Sequence, residues 1–166
     1  MGKSIFPPHK HDHQACVQQA LENAQSICLR NGTRLTPQRQ QVLELIWENH
    51  KPIGAYELLD RLRDQGIKAA PPTVYRALDF LIANGLIHRI ESLNAYTGCH
   101  HPEHPHASQF LVCQQCQRVA ELDSAKISAQ LSAQAQAAGF LSQQQTVEIS
   151  GICAECQTRQ DGCAHG

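Results

Sequence analysis

The sequence predicts an α+β fold, with a helical N-terminal domain followed by a smaller mixed C-terminal domain. Three observations predict it. Apolar residues recur at helical spacing through about the first 85 residues, an abrupt change in composition follows at residues 99 to 107, and two Cys-x-x-Cys pairs lie among predicted strands beyond it. The 166 residues suffice for two small domains. Domains of that size often need a metal or a partner chain to be stable.

Charge is divided unevenly between the two halves of the chain. The formal net charge is −1, yet residues 1 to 91 carry eleven basic and nine acidic side chains, whereas residues 92 to 166 carry three and six. The near-neutral total therefore does not exclude a nucleic-acid partner. No stretch approaches the roughly 20 apolar residues of a membrane helix, and no signal-peptide core is evident. We expect a cytoplasmic protein without a membrane partner, whose cysteines bind metal rather than form disulfides.

The first 98 residues predict a flexible tail and then a helical domain that ends in a hairpin. Residues 1 to 13 are polar and rich in Pro and His, and we expect them to be flexible. The predicted helices cover residues 14 to 30, a stretch beginning at Pro37, residues 55 to 65 and residues 73 to 84, and extended runs at 86 to 91 and 95 to 98 form the hairpin. Thr36 supplies an N-cap hydroxyl before Pro37, and Asn84-Gly85 is a typical helix end.

The fourth predicted helix has one apolar and one polar face. Its expected core face consists of Val74, Leu78, Leu81 and Ile82, and its expected outer face of Thr73, Tyr75, Arg76 and Asp79. A helix, a short break, a second helix and a hairpin are the order of a winged helix-turn-helix, whose second helix enters the DNA major groove. An Arg early in that helix can bind guanine. We therefore predict that residues 14 to 98 bind double-stranded DNA, with a solvated charged face as the alternative interpretation.

The C-terminal domain, residues 108 to 166, is predicted to mix strands with one helix. Strands are expected at 109 to 112, 118 to 122 and 146 to 150, and a helix at about 124 to 138. This helix is rich in Ala and Gln and has few large apolar residues, so it cannot fill a core alone. The composition therefore predicts that this domain pairs with a second copy of the chain.

The two Cys-x-x-Cys pairs carry the strongest chemical signal. Cys113 and Cys116 form the first pair, Cys153 and Cys156 form the second, and 36 residues lie between the two pairs. Four thiolates around one ion are typical of a closed, structural zinc site. Redox-active dithiols are an alternative, but they would need a thioredoxin-like frame that the pattern does not predict. Unmetallated core thiols are a third interpretation.

A second metal site is predicted in the linker at residues 99 to 107. Cys99 lies there with His100, His101, His104 and His106. A thiolate beside imidazoles suits zinc better than iron(II) or manganese, although spacing alone does not select the ligands. Other isolated ligand-type residues are His9, His11, His13, Cys163 and His165. We interpret these as bystanders, with further zinc sites as the alternative.

Three motifs together resemble the ferric uptake regulator (Fur) family. They are Arg34-Leu-Thr-Pro-Gln-Arg39, Pro72-Thr-Val-Tyr-Arg76-Ala-Leu-Asp79 and the paired Cys-x-x-Cys motifs. The resemblance covers about residues 15 to 157, and residues 71 to 82 are most similar to the zinc uptake regulator (Zur) branch. It implies a dimeric, zinc-responsive transcriptional repressor of zinc uptake genes, with a winged-helix domain, a linker and an α+β dimerisation domain.

The resemblance also implies roles for individual residues. The structural zinc falls on Cys113, Cys116, Cys153 and Cys156, and a sensing zinc falls on His88, Cys99, His106 and Glu121, which implies at least two zinc ions per chain. Base readers fall on Tyr56 and Arg76, with Thr73 and Tyr75 as neighbours and Arg34 and Arg39 as phosphate contacts. The implied partners are operator DNA and a second copy of the chain, with no small-molecule substrate beyond the metal ion.

Other functions fit the sequence less well. Iron-type family members carry a His-His-Asp-His run before the first Cys-x-x-Cys pair, where this chain has Ala107-Ser108-Gln109-Phe110, so an iron or peroxide sensor is disfavoured. A zinc enzyme would need a metal with an open position. The chain has no HExxH, no HxE with a downstream PCxxC and no GxSxG motif, so we expect no enzyme. The remaining alternative is a protein whose fold is stabilised by zinc and whose function is to bind a partner protein or to store metal.

Overall fold

The chain divides into two compact units. The computed structural model describes residues 5–6, 13–48, 51–103 and 107–161. The N-terminal unit is Pro8–His104, and the C-terminal unit joins Met1–Pro7 to Pro105–Gly166. The division falls inside the stretch predicted to be a linker. The fold is α+β, as predicted.

The N-terminal unit is a winged helix-turn-helix. Its elements are α1 (His13–Arg30), α2 (Pro37–Trp47), α3 (Ala55–Asp64), α4 (Pro71–Ala83), β1 (Ile87–Ile90) and β2 (Ala95–Gly98). β1 and β2 form an antiparallel hairpin, which is the wing. Ile53, before α3, forms an isolated antiparallel bridge with Tyr96, and the two backbone hydrogen bonds of this bridge are both 2.9 Å long. This bridge attaches the wing to the helix-turn-helix.

Local sequence signals explain where these helices begin and which faces they bury. The Thr36 hydroxyl accepts a hydrogen bond from the Arg39 N–H at 3.5 Å, and Pro37 occupies the first turn of α2. The core contains Ala24, Ile27, Cys28, Val42, Leu43, Leu45, Ile46, Leu58, Leu59, Leu62, Val74, Leu78 and Leu81. These are the stripes predicted from helical spacing.

Two details of α4 differ from the sequence prediction. The helix begins at Pro71 rather than at residue 73, because two prolines fit the first turn, where no intrahelical donor is needed. Ile82 was expected to face the core, and its side chain is 39% exposed. On a helical wheel, position 82 lies beside the stripe that Val74, Leu78 and Leu81 form, so Ile82 sits at the edge of the buried face.

The chain's sole tryptophan, Trp47 at the end of α2, packs against the last residue of β2 in the wing. A Cβ atom built on Gly98 would lie 2.2 Å from a ring carbon of Trp47, which is closer than side chains tolerate. The ring edge of Trp47 also meets the His100 ring, with the two centroids 5.0 Å apart. Gly98 is therefore required for the close approach of α2 to the wing.

Replacing Gly98 with alanine should destabilise the N-terminal unit. The added methyl must displace the Trp47 ring or the end of β2, and overpacking of this kind costs about 1 to 3 kcal/mol in free energy of unfolding. Urea unfolding followed by circular dichroism measures this loss. Gly54→Ala is the control for the added methyl group, because its Cβ would meet Asn94 O at an ordinary 4.0 Å and it should lose only the preference of the α3 N-cap for glycine over alanine. Equal free energies of unfolding for the two variants would contradict the assignment.

The C-terminal unit is a three-stranded sheet with two helices. Its elements are β3 (Ser108–Cys113), β4 (Val119–Glu121), α5 (Ala125–Ala137), β5 (Thr146–Gly151) and α6 (Ala154–Asp161). β3 is central, with β4 antiparallel and β5 parallel to it. The Gln109 side chain donates hydrogen bonds to Ser124 O at 3.0 Å and to Ser128 Oγ at 2.7 Å, which ties the start of α5 to β3.

Part of this unit's apolar surface stays uncovered within the described chain. No residue of α5 is buried, in agreement with the composition of the predicted helix. Large apolar side chains that remain exposed are Leu131, Phe140, Leu141, Ile149 and Ile152. Separately, none of the described helices combines the length and hydropathy needed to cross a membrane.

Candidate metal centres and nucleic-acid interface

Secondary structure brings the four predicted zinc cysteines together. Cys113 ends β3 and Cys116 lies in the turn that follows, whereas Cys153 directly precedes α6 and Cys156 lies within it. Gln114 N–H donates to Gly151 O at 2.8 Å, which holds the two cysteine segments side by side. All four Sγ atoms lie within 4.8 Å of one another.

The sulfur spacing fits a tetrahedral zinc ion. Zinc–sulfur bonds of about 2.3 Å in tetrahedral geometry separate two ligand sulfurs by about 3.8 Å. The Sγ atoms of Cys116 and Cys153 are 3.8 Å apart. The four thiols are free, and three of them are buried, as is typical of a closed structural site.

The pKa values of two clustered cysteines, Cys113 and Cys156, are shifted in opposite directions. Burial raises the pKa of Cys113, but the backbone N–H groups of Cys116, Cys153 and Gln115 outweigh it and lower the pKa to about 6. Burial instead dominates at Cys156, where it and the neighbouring thiols raise the pKa to about 12. Without a cation, therefore, the Cys113 and Cys156 thiols do not ionise together. A divalent ion would favour all four thiolates.

Sequence reasoning missed the residues that surround this cluster. Arg118 is only 3% exposed, and its guanidinium donates to the carboxylate of Glu155 at 2.8 Å. Phe6, within the segment predicted to be a flexible tail, packs against the cysteines. The one available signal was that Arg118 is among three basic residues in the second half of the chain. Glu155 belongs to α6, a helix that its sequence does not predict because it has no apolar stripe.

The wing brings two of the predicted sensing ligands together. Cys99 follows β2, is buried, and donates its N–H to Leu86 O at 3.0 Å. His88 pairs with Thr97 in the hairpin, so His88 and Cys99 are diagonal neighbours on one face. Donor atoms of His88 and Cys99 lie within 4.8 Å of each other. This thiol and imidazole offer two ligands that suit zinc.

The remaining predicted sensing ligands, Glu121 and His106, belong to other segments of the chain. Glu121 ends β4 in the C-terminal unit, where it is half-buried and opposite Phe110. His106 lies outside the described residues. Of the linker histidines that the resemblance leaves out of the sensing site, His100 and His101 are exposed. His104, His9, His11, Cys163 and His165 also fall outside the described part of the chain, and His13 begins α1.

The predicted DNA-reading residues lie on exposed positions of two helices. On α4, Arg76 is exposed, Tyr75 is 42% exposed and Thr73 is half-buried. Tyr56 lies in the first turn of α3 and is 69% exposed. Tyrosine is only of intermediate burial in folded domains, so the exposure of these two side chains is not decisive by itself. Their position on a helix-turn-helix indicates a surface that binds a partner.

The two predicted phosphate contacts differ in their surroundings. Arg34 is exposed. Arg39 is half-buried, its guanidinium lies 3.6 Å from the centre of the Phe80 ring, and it donates to Arg34 O at 2.6 Å. These contacts hold the Arg39 side chain in one place between α2 and α4. An arginine fixed in this way loses little conformational entropy on binding an anion.

Comparison with known proteins decides the family. The model of the ferric uptake regulator family matches residues 30–150, which is most of both units. The chain belongs to the ferric uptake regulator family. The match includes the helix-turn-helix, the wing and the first Cys-x-x-Cys pair, and so confirms the resemblance found in the sequence motifs.

This family member is similar to several zinc uptake regulators. It is 40% identical over 150 residues to the zinc uptake regulation protein of Escherichia coli (strain K12), covering 90% of this chain and 87% of the relative. A solved zinc uptake regulator complexed with zinc and DNA has 38% identity and a TM-score of 0.81, covering 93% and 100%. Holo XcZur has 46% identity and a TM-score of 0.79, covering 86% and 99%.

Proposed function

We propose that this chain is a zinc-responsive transcriptional repressor that binds operator DNA as a homodimer and controls zinc uptake genes. The observation that carries the proposal is the thiol–imidazole pair of Cys99 and His88, which lies in the wing of a DNA-binding fold. A related protein solved with both zinc and DNA supports it. The relatives are bacterial proteins, and bacterial DNA lies in the cytoplasm, so we propose the cytoplasm for this chain too.

We propose two kinds of zinc site. Cys113, Cys116, Cys153 and Cys156 would hold a structural zinc, since their sulfurs fit tetrahedral coordination. His88 and Cys99, completed by His106 and Glu121, would hold the sensing zinc. The bound ions would therefore number at least two per chain. Buried thiolate ligation by Cys99 also favours zinc over iron(II).

The sensing ligands come from the wing, the linker and β4, and this distribution explains how zinc would control DNA binding. When His88 and Cys99 bind the metal together with Glu121, the freedom of the winged helices decreases, and a dimer presents them at the spacing of two half-sites. Zinc can favour this form only if it binds this form more tightly than the form in which the winged helices move freely. DNA must then tighten zinc binding by the same factor.

Dimerisation would use the exposed apolar surface of the C-terminal unit. Leu131, Phe140 and Ile149 are exposed on α5, after it and on β5 respectively. A small domain that leaves such side chains in water gains stability by pairing them with a second copy. A dimer also presents two α4 helices, which suits a palindromic operator.

Replacing Arg76 with alanine should relax base preference at one position in each half-site. A bidentate contact between an arginine and guanine discriminates by about 1 to 3 kcal/mol. Competition gel shifts with operator variants measure that difference. Lys126→Ala removes an equal charge from an exposed position on α5, and it should leave base preference unchanged. Unchanged specificity in Arg76→Ala would remove this residue from the reading surface.

One experiment tests the proposed function as a whole. Gel shifts on a promoter of a zinc uptake gene are titrated with zinc, with iron(II) and with a chelator. The proposal expects binding in zinc, loss of binding with chelator and no recovery with iron(II) at matched free concentrations. Recovery by iron(II) would favour the iron-sensor alternative. The absence of DNA binding under all conditions would favour a metal-storage or interaction protein.

A further inference from the structure

A buried positive charge lies beside the cysteine cluster. Arg118 is 3% exposed, although arginine is rarely buried unless its charge is paired. It is neither a zinc ligand nor a residue on the DNA-reading surface. Its burial therefore requires a separate explanation.

The guanidinium of Arg118 contacts both cysteine pairs. Its Nε atom donates to Cys116 Sγ at 3.4 Å, and its Nη2 atom lies 3.7 Å from Cys153 Sγ. The first sulfur belongs to the Cys-x-x-Cys pair after β3, and the second belongs to the pair at α6. One planar side chain thus spans the two segments that must meet around the ion.

Two further residues hold Arg118 in this position. Glu155, one residue before Cys156, accepts a hydrogen bond from Nη2 at 2.8 Å. On another side, the Phe6 ring packs against the cysteine cluster, and its centre lies 5.9 Å from Arg118 Cζ, within the range of a cation–π contact. The neighbouring Ile5 is 48% exposed and is not part of this packing.

Charge explains why an arginine suits this place. Four thiolates around a divalent ion carry a net charge of about −2, which is costly to bury. N–H donors directed at ligand sulfurs offset that charge and fix the direction of the sulfurs, as residues behind metal ligands commonly do. A lysine would keep the charge, but it lacks the planar arrangement of donors that reaches two sulfurs and a carboxylate.

We propose that Arg118, held by Glu155 and covered by Phe6, is a positioning residue that clamps the two Cys-x-x-Cys pairs and slows the loss of zinc. The proposal rests on the structural zinc site proposed above. It gives the segment before α1 a role in retaining metal, because Phe6 shields the guanidinium and the sulfurs from water and from competing ligands.

The test uses the full-length zinc-loaded protein and measures zinc transfer to excess 4-(2-pyridylazo)resorcinol. Outer-shell substitutions typically weaken metal affinity by about 10- to 100-fold. We expect Arg118→Met to release zinc faster by a factor in this range, Arg118→Lys to release it at an intermediate rate, and Phe6→Ala to release it several-fold faster. Arg159→Met removes an exposed arginine of α6, and Ile5→Ala removes an exposed neighbour of Phe6. Both controls should match the wild type.

Thermal unfolding of the same variants separates positioning from general stability. Glu155→Gln and Phe6→Ala retain Arg118, so they test the clamp even if Arg118→Met does not fold. Wild-type release rates in both would overturn the proposal, as would a lowered melting temperature with unchanged release. If the four clustered cysteines of the wild-type protein hold no zinc, the proposed structural zinc site is overturned. If that same protein still shifts operator DNA only in the presence of zinc, the proposed sensing function is retained.

Discussion

Cys113→Ser should yield a protein that lacks one zinc ion per chain and whose C-terminal unit no longer folds stably. Structural zinc contributes on the order of 10 kcal/mol of apparent binding free energy to small domains. The C-terminal unit has few other sources of stability, since no residue of α5 is buried. The N-terminal unit has its own apolar core and should remain helical. Zinc content, thermal unfolding and far-ultraviolet circular dichroism measure the three consequences.

Cys16→Ser is the matched control for this loss. Cys16 is a half-buried free thiol on α1, outside the cluster of four. Its serine variant should retain the zinc content, melting temperature and dimer of the wild type. Normal zinc content and stability in Cys113→Ser would contradict a structural role for the cluster.

Cys99→Ser should yield a folded dimer that no longer responds to zinc. Cys99 lies outside the structural cluster, and serine has nearly the same shape, so the wing should keep its hydrogen bond to Leu86 O. Coupling free energies between two binding sites usually correspond to about a 5- to 150-fold change in affinity. We therefore expect the operator affinity of Cys99→Ser in saturating zinc to be lower than that of the wild type by a factor within that range. Fluorescence anisotropy with labelled operator measures it with and without zinc.

His101→Ala is the control for the sensing site. His101 is exposed and lies two residues after Cys99, and we interpret it as a bystander. This variant should keep the full zinc response. If Cys99→Ser also kept it, the sensing assignment would be wrong, although the zinc site proposed at the four clustered cysteines and the DNA-reading role proposed for α4 would be unaffected.

The sequence predicted the helical unit well because local signals and burial agree there. Thr36 and Pro37 begin α2, and the stripes of α1 to α4 become the core. The paired spacing of the cysteines likewise predicted a cluster that the fold assembles. In each case one local pattern, either the helical spacing of apolar residues or the Cys-x-x-Cys motif, was enough to predict the feature.

Features that depend on contacts between distant residues were not predictable from local pattern. Helix α6 has no apolar stripe, and it begins where Cys153 and Cys156 meet the first cysteine pair. The contacts of Arg118 with Cys153 and Glu155 join residues more than thirty positions apart. Ile82 was misplaced because a helical period does not define how wide the buried face is.

The position of Trp47 gives the chain an intrinsic optical probe. It is the sole tryptophan, its ring packs on Gly98 immediately before Cys99, and its edge meets His100. Tryptophan emission from this protein therefore originates at one location, next to the thiol proposed to sense the metal. Occupancy of that site can be followed in the unmodified protein, without a dye and without DNA.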